Sequence, residues 1–302
     1  MMPTNEQNIK RDRVFVSGSN GFVGKALCRV LVAKGYSVVD YNLSEGKDIL
    51  DLKEVKKNMK GCDYVFHLAA LLDEKAKNLN LVNVQGTKNL LEAAAEQQLK
   101  KFVFLSTTGV LGDFEGCSDE SFPYNPKTPY EESKAEAEKL VLSYQEVLPV
   151  VIIRSALVLG ANSYWEQIIR LIGKNFPIIG NGKNTFQLVY VKNLASALLA
   201  VIERGQLGET YIVVDSEEVD LNTLYEMFSK ELGFNEKPRH VPKIVAKLFA
   251  PLLDKKILTS EHIDRLCRNR CYDNSKLKAL GWSQIYSLRA AIKETVSSIA
   301  ND

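Results

Sequence analysis

Val14-Phe15-Val16-Ser17-Gly18-Ser19-Asn20-Gly21-Phe22-Val23-Gly24 is a short apolar run that breaks into a turn of three glycines. The run predicts a buried strand, and Lys25–Lys34 predicts a helix closed by Gly35 at its C′ position. A turn from strand to helix leaves backbone N–H groups unpaired at the positive end of the helix dipole, where a pyrophosphate can bind. Glycine is needed there, because a Cβ would block the phosphate or force a positive φ into strain. The spacing Gly-x-x-Gly-x-x-Gly is one residue looser than the common dinucleotide fingerprint.

A second strand, Tyr36–Tyr41, follows on schedule, and Asp40 and Asn42 share one face of that extended chain. A carboxylate at this point binds the 2′-hydroxyl of an adenosine ribose and repels a 2′-phosphate. The loop beyond, Leu43–Lys47, carries an acid and no arginine, so NAD is expected, with NADP possible; Asn42 in the terminal position would weaken the preference. Asp48 suits either the adenine amine or the N-cap of the next helix.

Short β-branched runs then alternate with helical patterns, as in a parallel sheet covered by helices. Asp51–Met59 predicts a helix, Tyr64–Leu68 a buried strand, and Leu79–Gln98 a long helix with Leu90, Leu91, Ala94 and Ala95 on its apolar face. Phe102–Ser106 predicts a strand, Glu131–Tyr144 a helix and Val150–Ile153 a strand. After about Ser155 glycine and proline loops become denser (Pro177, Gly180, Gly182). Val189–Val191 and Thr210–Val214 can return to the sheet, while Asp220–Leu232, Lys243–Leu252 and Ser260–Leu266 read as helices of a smaller lobe. The expected fold is α/β: a Rossmann-type doubly wound parallel sheet (13–157 and 185–215) with a smaller interleaved C-terminal substrate-binding lobe (158–184 and 216–302), behind a disordered leader (1–12).

The second informative stretch is Pro129-Tyr130-Glu131-Glu132-Ser133-Lys134. Tyrosine is a poor base, since a free phenol titrates only at about 10. One helical turn brings Lys134 to the face of Tyr130, and an ammonium nearby favours the phenolate, making Tyr130 usable as an acid or base. Thr107 ends the strand Phe102–Leu105, and ligands collect at the carboxyl ends of parallel strands. Its hydroxyl would orient a substrate alcohol or carbonyl; Ser106 and Thr108 lean toward turn-forming hydrogen bonds.

Bulk numbers exclude other classes. The 302 residues are 45% hydrophobic and 25% charged, as in an ordinary globular protein. Net charge is +2, from 39 basic and 37 acidic residues, so no electrostatic footprint argues for nucleic acid or an anionic membrane. No apolar run approaches a bilayer span; Val241–Leu253 is broken by Pro242, Lys243, Lys247 and Pro251. Without a signal-like leader, the expected location is cytoplasmic. Cys28, Cys62, Cys117, Cys267 and Cys271 form an odd set without a Cys-x-x-Cys pair. They are expected to be free thiols, with Cys267 and Cys271 a helical turn apart and in packing roles, and no metal site is expected.

Taken together these stretches resemble the extended short-chain dehydrogenases/reductases of the NAD-dependent epimerase/dehydratase superfamily. The resemblance covers Gly18–Gly24, Asp48–Asp51, His67–Ala70, Asn83–Thr87, Ser106–Gly112, Pro129–Lys134, Val189–Asn193 and Leu280–Trp282. It implies a catalytic trio of Thr107, Tyr130 and Lys134, with the hydroxyl on Thr107 because Val110-Leu111-Gly112 matches the family's Val-Tyr-Gly. It also implies cofactor contacts from Gly18, Asn20, Gly21, Phe22, Val23, Gly24, Asp40, Asn42, Asp48, Ile49, Leu68, Ala69, Ala70, Tyr130 and Lys134, with Asn83 supporting the site. Family members often dimerise through the helices here predicted over Leu79–Gln98 and Glu131–Tyr144, so a homodimer is an expectation.

Within the family, departures carry the choice of substrate. Nucleotide-sugar members follow the sixth strand with Arg-Pro-x-Asn-x-Tyr-Gly; here Leu157 stands in place of the asparagine. Where they place a diphosphate-binding arginine this chain has Phe186, whose ring cannot pair with phosphate. Ile179–Asn184 followed by Val189–Asn193 is similar to the 3β-hydroxysteroid dehydrogenase and dihydroflavonol reductase branch. Ile244, Val245, Leu248 and Phe249 suit a lobe over an apolar substrate. The expected function is NAD(P)-dependent hydride transfer at a secondary alcohol or ketone of an apolar small molecule, with Thr107, Thr108, Leu157 and Phe186 near the substrate. The alternative is a nucleotide-sugar 4-epimerase with tightly bound NAD, for which Lys183, Arg239 or Lys243 would supply a phosphate contact. A silent dinucleotide-sensing regulator is a minor alternative.

Overall fold

In the computed structural model the described residues are 11–114, 116–234, 237–249, 263–264 and 266–301. Val14, Phe15, Val16 and Ser17 have no exposure, so β1 (Arg13–Ser17) forms as a strand buried on both faces. It pairs in parallel with β2 (Ser37–Tyr41) on one side and β3 (Tyr64–His67) on the other. β3 pairs in parallel with β4 (Lys101–Thr107). With β6 (Val150–Ser155) and β10 (Thr210–Val213), these make a six-stranded parallel sheet in the order β10-β6-β4-β3-β1-β2. Strand order reverses beside β1, and the carboxyl ends of β1 and β3 flank that switch point, where open α/β sheets take ligands.

Helix α1 (Phe22–Ala33) follows the glycine turn and ends at Gly35, whose φ is 88°. α2 (Leu52–Met59) is capped by Asp51, which accepts from the Glu54 N–H, so Asp51 rather than Asp48 is the cap. The helix expected over Leu79–Gln98 is shorter and divided. A π-turn at Leu81–Gln85 precedes α3 (Gly86–Ala95). The π-turn has a cause in two sets of hydrogen bonds: Thr87 Oγ1 donates to the Asn83 carbonyl, and the Asn83 side chain is drawn to the Leu71 backbone. α4 (Pro129–Ser143) starts two residues earlier than expected, because Thr128 and Glu131 close a capping box and Pro129 takes the first turn.

The chain forms two compact units. The first takes residues up to Val110, Pro126–Arg154 and Leu198–Thr210. Its core joins Phe15, Tyr41, Val65, Leu90, Phe102, Phe104 and Ile152. The second takes Leu111–Asn125, Ser155–Ala197 and Tyr211 onward. It holds a three-stranded sheet in which β9 (Thr185–Tyr190) lies between β7 (Leu157–Leu159) and β11 (Glu218–Asp220). Val189 therefore does not return to the main sheet, whereas Thr210–Val213 does. Short parallel pairs join β8 (Ile178–Ile179) to β12 (His240–Val241), and β5 (Cys117–Ser118) to β13 (Cys271–Tyr272).

The free-thiol expectation is corrected here: Cys117 and Cys271 face each other in that last pair and form a disulfide, while Cys28, Cys62 and Cys267 are free. Cys271 lies in a strand, so it is not a helical turn from Cys267. The helix expected over Lys243–Leu252 runs Lys243–Phe249 within the described residues. Most of the one over Ser260–Leu266, and of the leader, lies outside them. Among the described residues no helix is long and apolar enough to cross a membrane.

Candidate functional site

The turn after β1 has the form a pyrophosphate requires. Gly18 has φ 74°, and a Cβ there would sit 2.8 Å from the Ala69 N. A Cβ on Gly24 would stand 2.1 Å from the Gly18 carbonyl oxygen, so the helix can approach the turn this closely only with glycine. No side chain caps α1 and no acid lies in its first turn, which leaves its N-terminal N–H groups for an anion. These residues fit a dinucleotide.

Beyond β2 the polar groups that meet this turn are Asn42, Ser44 and Glu45 rather than Asp40: Asn20 Nδ2 also donates to Ser44 Oγ and Glu45 Oε1, each at 3.3 Å. Asn42 is buried; its Nδ2 donates to Ser19 Oγ at 3.2 Å and its Oδ1 accepts from Asn20 Nδ2 at 3.2 Å. Asp40 is exposed and lies 3.8 Å from Cys28 Sγ on the outer helix. The turn thus meets an amide from the strand end and a carboxylate, Glu45, from the loop beyond, so a charge that disfavours a 2′-phosphate comes from Glu45 rather than Asp40. Asp48 Oδ1 accepts from Leu50 N, and Ile49 is buried against Gly86, where a Cβ would come within 2.4 Å of its Cδ1.

A buried polar chain runs from the glycine turn to α4. Ser17 Oγ, which accepts from the N–H groups of Leu68 and Ala69, is 2.8 Å from His67 Nδ1. His67 Nε2 is 2.8 Å from Thr87 Oγ1, whose proton goes to the Asn83 carbonyl. The bonding assigns His67 as the neutral tautomer with its proton on Nε2. Burial first, and then the Lys134 charge, hold its pKa well below the usual value. Asn83 clamps Leu71 through both N–H and carbonyl, at 2.7 and 2.9 Å, and donates to Ser133 Oγ at 2.9 Å. Ser133 donates to the Tyr130 carbonyl at 2.7 Å. Ser17, Thr87 and Ser133 were not anticipated; each is a hydroxyl in a network whose members are distant in sequence.

The structure joins the two chemical motifs at a tight seam. Lys134, 2% exposed, donates from Nζ to the Leu105 carbonyl at 2.8 Å and lies 3.9 Å from the centroid of the Phe104 ring. One turn on, a Cβ on Gly109 would come within 2.6 Å of Glu131 Oε1. Glu131 Oε2 in turn accepts from Lys127 N and Thr128 N at 2.9 and 3.2 Å. The ends of the Thr107 strand and of the Tyr130 helix are thus packed together. Thr107 Oγ1 accepts from Gly109 N at 3.1 Å, so Thr107 itself makes a turn-forming bond. Thr108 is buried.

Electrostatics here differ from the sequence expectation. Burial, then the Glu131 carboxylate, push Tyr130 up to about 12. Burial pushes Lys134 down to about 7, against the raising effect of Glu138. In the cofactor-free protein the Tyr130 phenol is thus held protonated at neutral pH, the form that can donate a proton.

Leu157 and Phe186 lie in the second unit. Leu157 pairs with Leu188 and is 47% exposed; Phe186 is two residues along β9 from Leu188, so both side chains stand on one face of the three-stranded sheet. Lys243 is paired with Asp264 at 2.6 Å, and Arg239 donates to the Asn175 carbonyl. An open hollow of about 440 Å³ is lined by Gly180, Asn181, His240 and Pro242.

The family described as the NAD dependent epimerase/dehydratase family matches residues 14–214, well over half of the chain. The chain is 32% identical over 265 residues to a 4-hydroxy-2-methyl-3-oxo-4-farnesyl-3,4-dihydroquinoline-1-oxide ketoreductase of Stigmatella aurantiaca, covering 80% of this chain and 79% of the relative. It is 25% identical over 312 residues to the N-acetyl-alpha-D-glucosaminyl-diphospho-ditrans,octacis-undecaprenol 4-epimerase of Escherichia coli O157:H7, covering 94% of each. The UDP-glucuronic acid 4-epimerase of Bacillus cereus, solved with NAD, shares the fold with a TM-score of 0.80 at 23% identity, over 96% of this chain and 99% of that one.

Proposed function

Because the chain belongs to the NAD-dependent epimerase/dehydratase family, we propose that it is a reductase of an apolar ketone, run in reverse as a dehydrogenase of the matching secondary alcohol. The observation that supports this reading is the seam between Leu105–Gly109 and the start of α4, where Lys134 Nζ donates to the Leu105 carbonyl and Gly109 packs against Glu131, so the strand end that carries Thr107 meets the helix that carries Tyr130. NADH, or NADPH, supplies the hydride when bound. Gly18, Gly21, Gly24 and the open start of α1 would hold its pyrophosphate, with Asn42 and Asn20 toward the ribose. Thr107 donates to the substrate oxygen and orients it. Tyr130 gives its phenolic proton to that oxygen as the carbonyl is reduced, and takes it back in the oxidative direction. Lys134 stabilises the phenolate left behind, and its charge also suits the ribose hydroxyls.

Support for an apolar substrate comes from Leu157 and Phe186 on one sheet face and from Lys243 being committed to Asp264. The relative with the highest of the identities given above reduces a farnesylated quinoline oxide. The epimerase relative supports a second reading, in which Tyr130 would remove a sugar hydroxyl proton and a bound NAD would supply the hydride chemistry. Purified protein is offered NADH or NADPH with a panel of hydrophobic ketones and, separately, UDP-sugars with NAD. Net loss of reduced nicotinamide with a hydrophobic ketone is the expected result. Interconversion of UDP-sugars without net cofactor consumption would overturn the substrate assignment.

A further inference from the structure

The chain between Thr107 and Tyr130 makes a closed excursion. It leaves through Gly112, whose φ of 63° favours glycine, and a Cβ there would lie 1.8 Å from the Asn125 carbonyl oxygen. Asn125 Nδ2 donates to the Asp113 carbonyl at 3.3 Å, so the loop is pinched at its base. Its far side is β5, where Cys117 is bridged to Cys271 of β13. Cys117 is exposed and Cys271 half-buried, so a small thiol can reach the sulfurs.

Beyond the bridge, the Arg268–Asp273 segment is stitched to the strand that carries Phe186. Thr185 N donates to Asn269 Oδ1 at 2.9 Å, Arg270 N to the Thr185 carbonyl at 2.8 Å, and Tyr272 N to Gln187 Oε1 at 2.7 Å. Toward the loop the same segment has lighter ties: Asp273 N donates to the Ser118 carbonyl at 2.9 Å, Phe114 stands edge-on to Tyr272, and Arg268 pairs with Asp113. Two residues on each strand make a marginal sheet by themselves. The covalent link is therefore the hold on the loop that a change of thiol state can release, beside ties such as the Ile212 N–H donated to Glu120 Oε1 at 2.7 Å.

From this arrangement we infer that Cys117–Cys271 is a reversible thiol–disulfide site, exchanging with low-molecular-weight thiols, that sets how firmly the 112–125 loop is held. In the oxidising direction the Cys117 thiolate attacks a small disulfide, expels one thiolate and leaves a mixed disulfide. The Cys271 thiolate then attacks the Cys117 sulfur and expels the second thiolate. The two protons from the cysteines end on the two released thiols, and the small disulfide is the species reduced. Reduction is the reverse, with two thiols supplying the electrons.

The test equilibrates the whole protein with glutathione mixtures of graded poise, followed by thiol labelling, peptide mass spectrometry and amide hydrogen exchange. Cys117 and Cys271 should lose label together in oxidising mixtures and regain it in reducing ones. Exchange across 112–125 should quicken about tenfold on reduction, as expected for a locally released loop, while β1 and β4 peptides keep their protection. Cys117→Ser should exchange at the reduced rate in every mixture. Labelling of both cysteines at the most oxidising poise would overturn the inference, as would unchanged exchange across 112–125 once the bridge is reduced.

Discussion

Around Thr107 and Tyr130 the polar groups are buried and closed on one another; around Leu157 and Phe186 the surface is open and its strands are held by bonds to distant chain. Lys134 is 2% exposed and Leu157 47%. The first region rests on contiguous motifs that carry their own local physics: a glycine turn before α1, and a capping box with Pro129 ahead of Tyr130. The second depends on register, with Thr185 and Gln187 bonded to residues 84 and 85 positions away. Function lives in such local groups rather than in the fold, so one fold can carry different substrates.

The contrast can be broken where it is strongest. Arg154 and Glu138 form a buried ion pair, with Nη2 to Oε2 at 2.9 Å and side-chain exposures of 4% and 0%. Glu138→Ala leaves a buried guanidinium without that carboxylate and should lower stability by about 3–5 kcal/mol, read from the denaturant midpoint. A loss within experimental error would mean that this side is less tightly closed than described.

A pH profile sharpens the same point. Lys134 sits at about 7 in the folded, cofactor-free protein, against the ordinary lysine value of 10.5. Between those values the unfolded chain holds a proton that the folded chain lacks, so this group's contribution to stability grows as pH rises and is lost as pH falls through about 7. Lys134→Met should remove that rise from a plot of unfolding free energy against pH. The smallest effect belongs to the open side: Leu157→Asn should shift stability by no more than about 0.5 kcal/mol and reduce kcat/KM for an apolar ketone about tenfold.

What was legible in the sequence follows from the same difference. β1, the glycine turn, α1 and β4 were readable because each is decided by neighbours within a dozen residues. The early start of α4 is written in Thr128-Pro129-x-Glu131, a capping box whose signal lies just outside the apolar pattern that marks the helix. The π-turn at Leu81–Gln85 was not legible, because it follows from Asn83 reaching Leu71 and Thr87 bonding back onto Asn83. The disulfide joins residues 154 apart through a two-residue strand pair that no local pattern marks. Tyr130 was expected to lean toward phenolate, yet burial and Glu131 push it the other way, a balance that depends on packing depth rather than spacing.

Everything proposed for the chemistry turns on Tyr130 as the proton donor at a seam built by Lys134, Leu105 and Gly109. The most direct test is Tyr130→Phe, with turnover measured alongside NADH and NADPH binding. The phenol's hydroxyl is lost while the aromatic ring remains. Turnover should fall about 10³-fold, within the range for removing a general acid, with cofactor affinity essentially unchanged. Wild-type turnover in that variant would contradict the account.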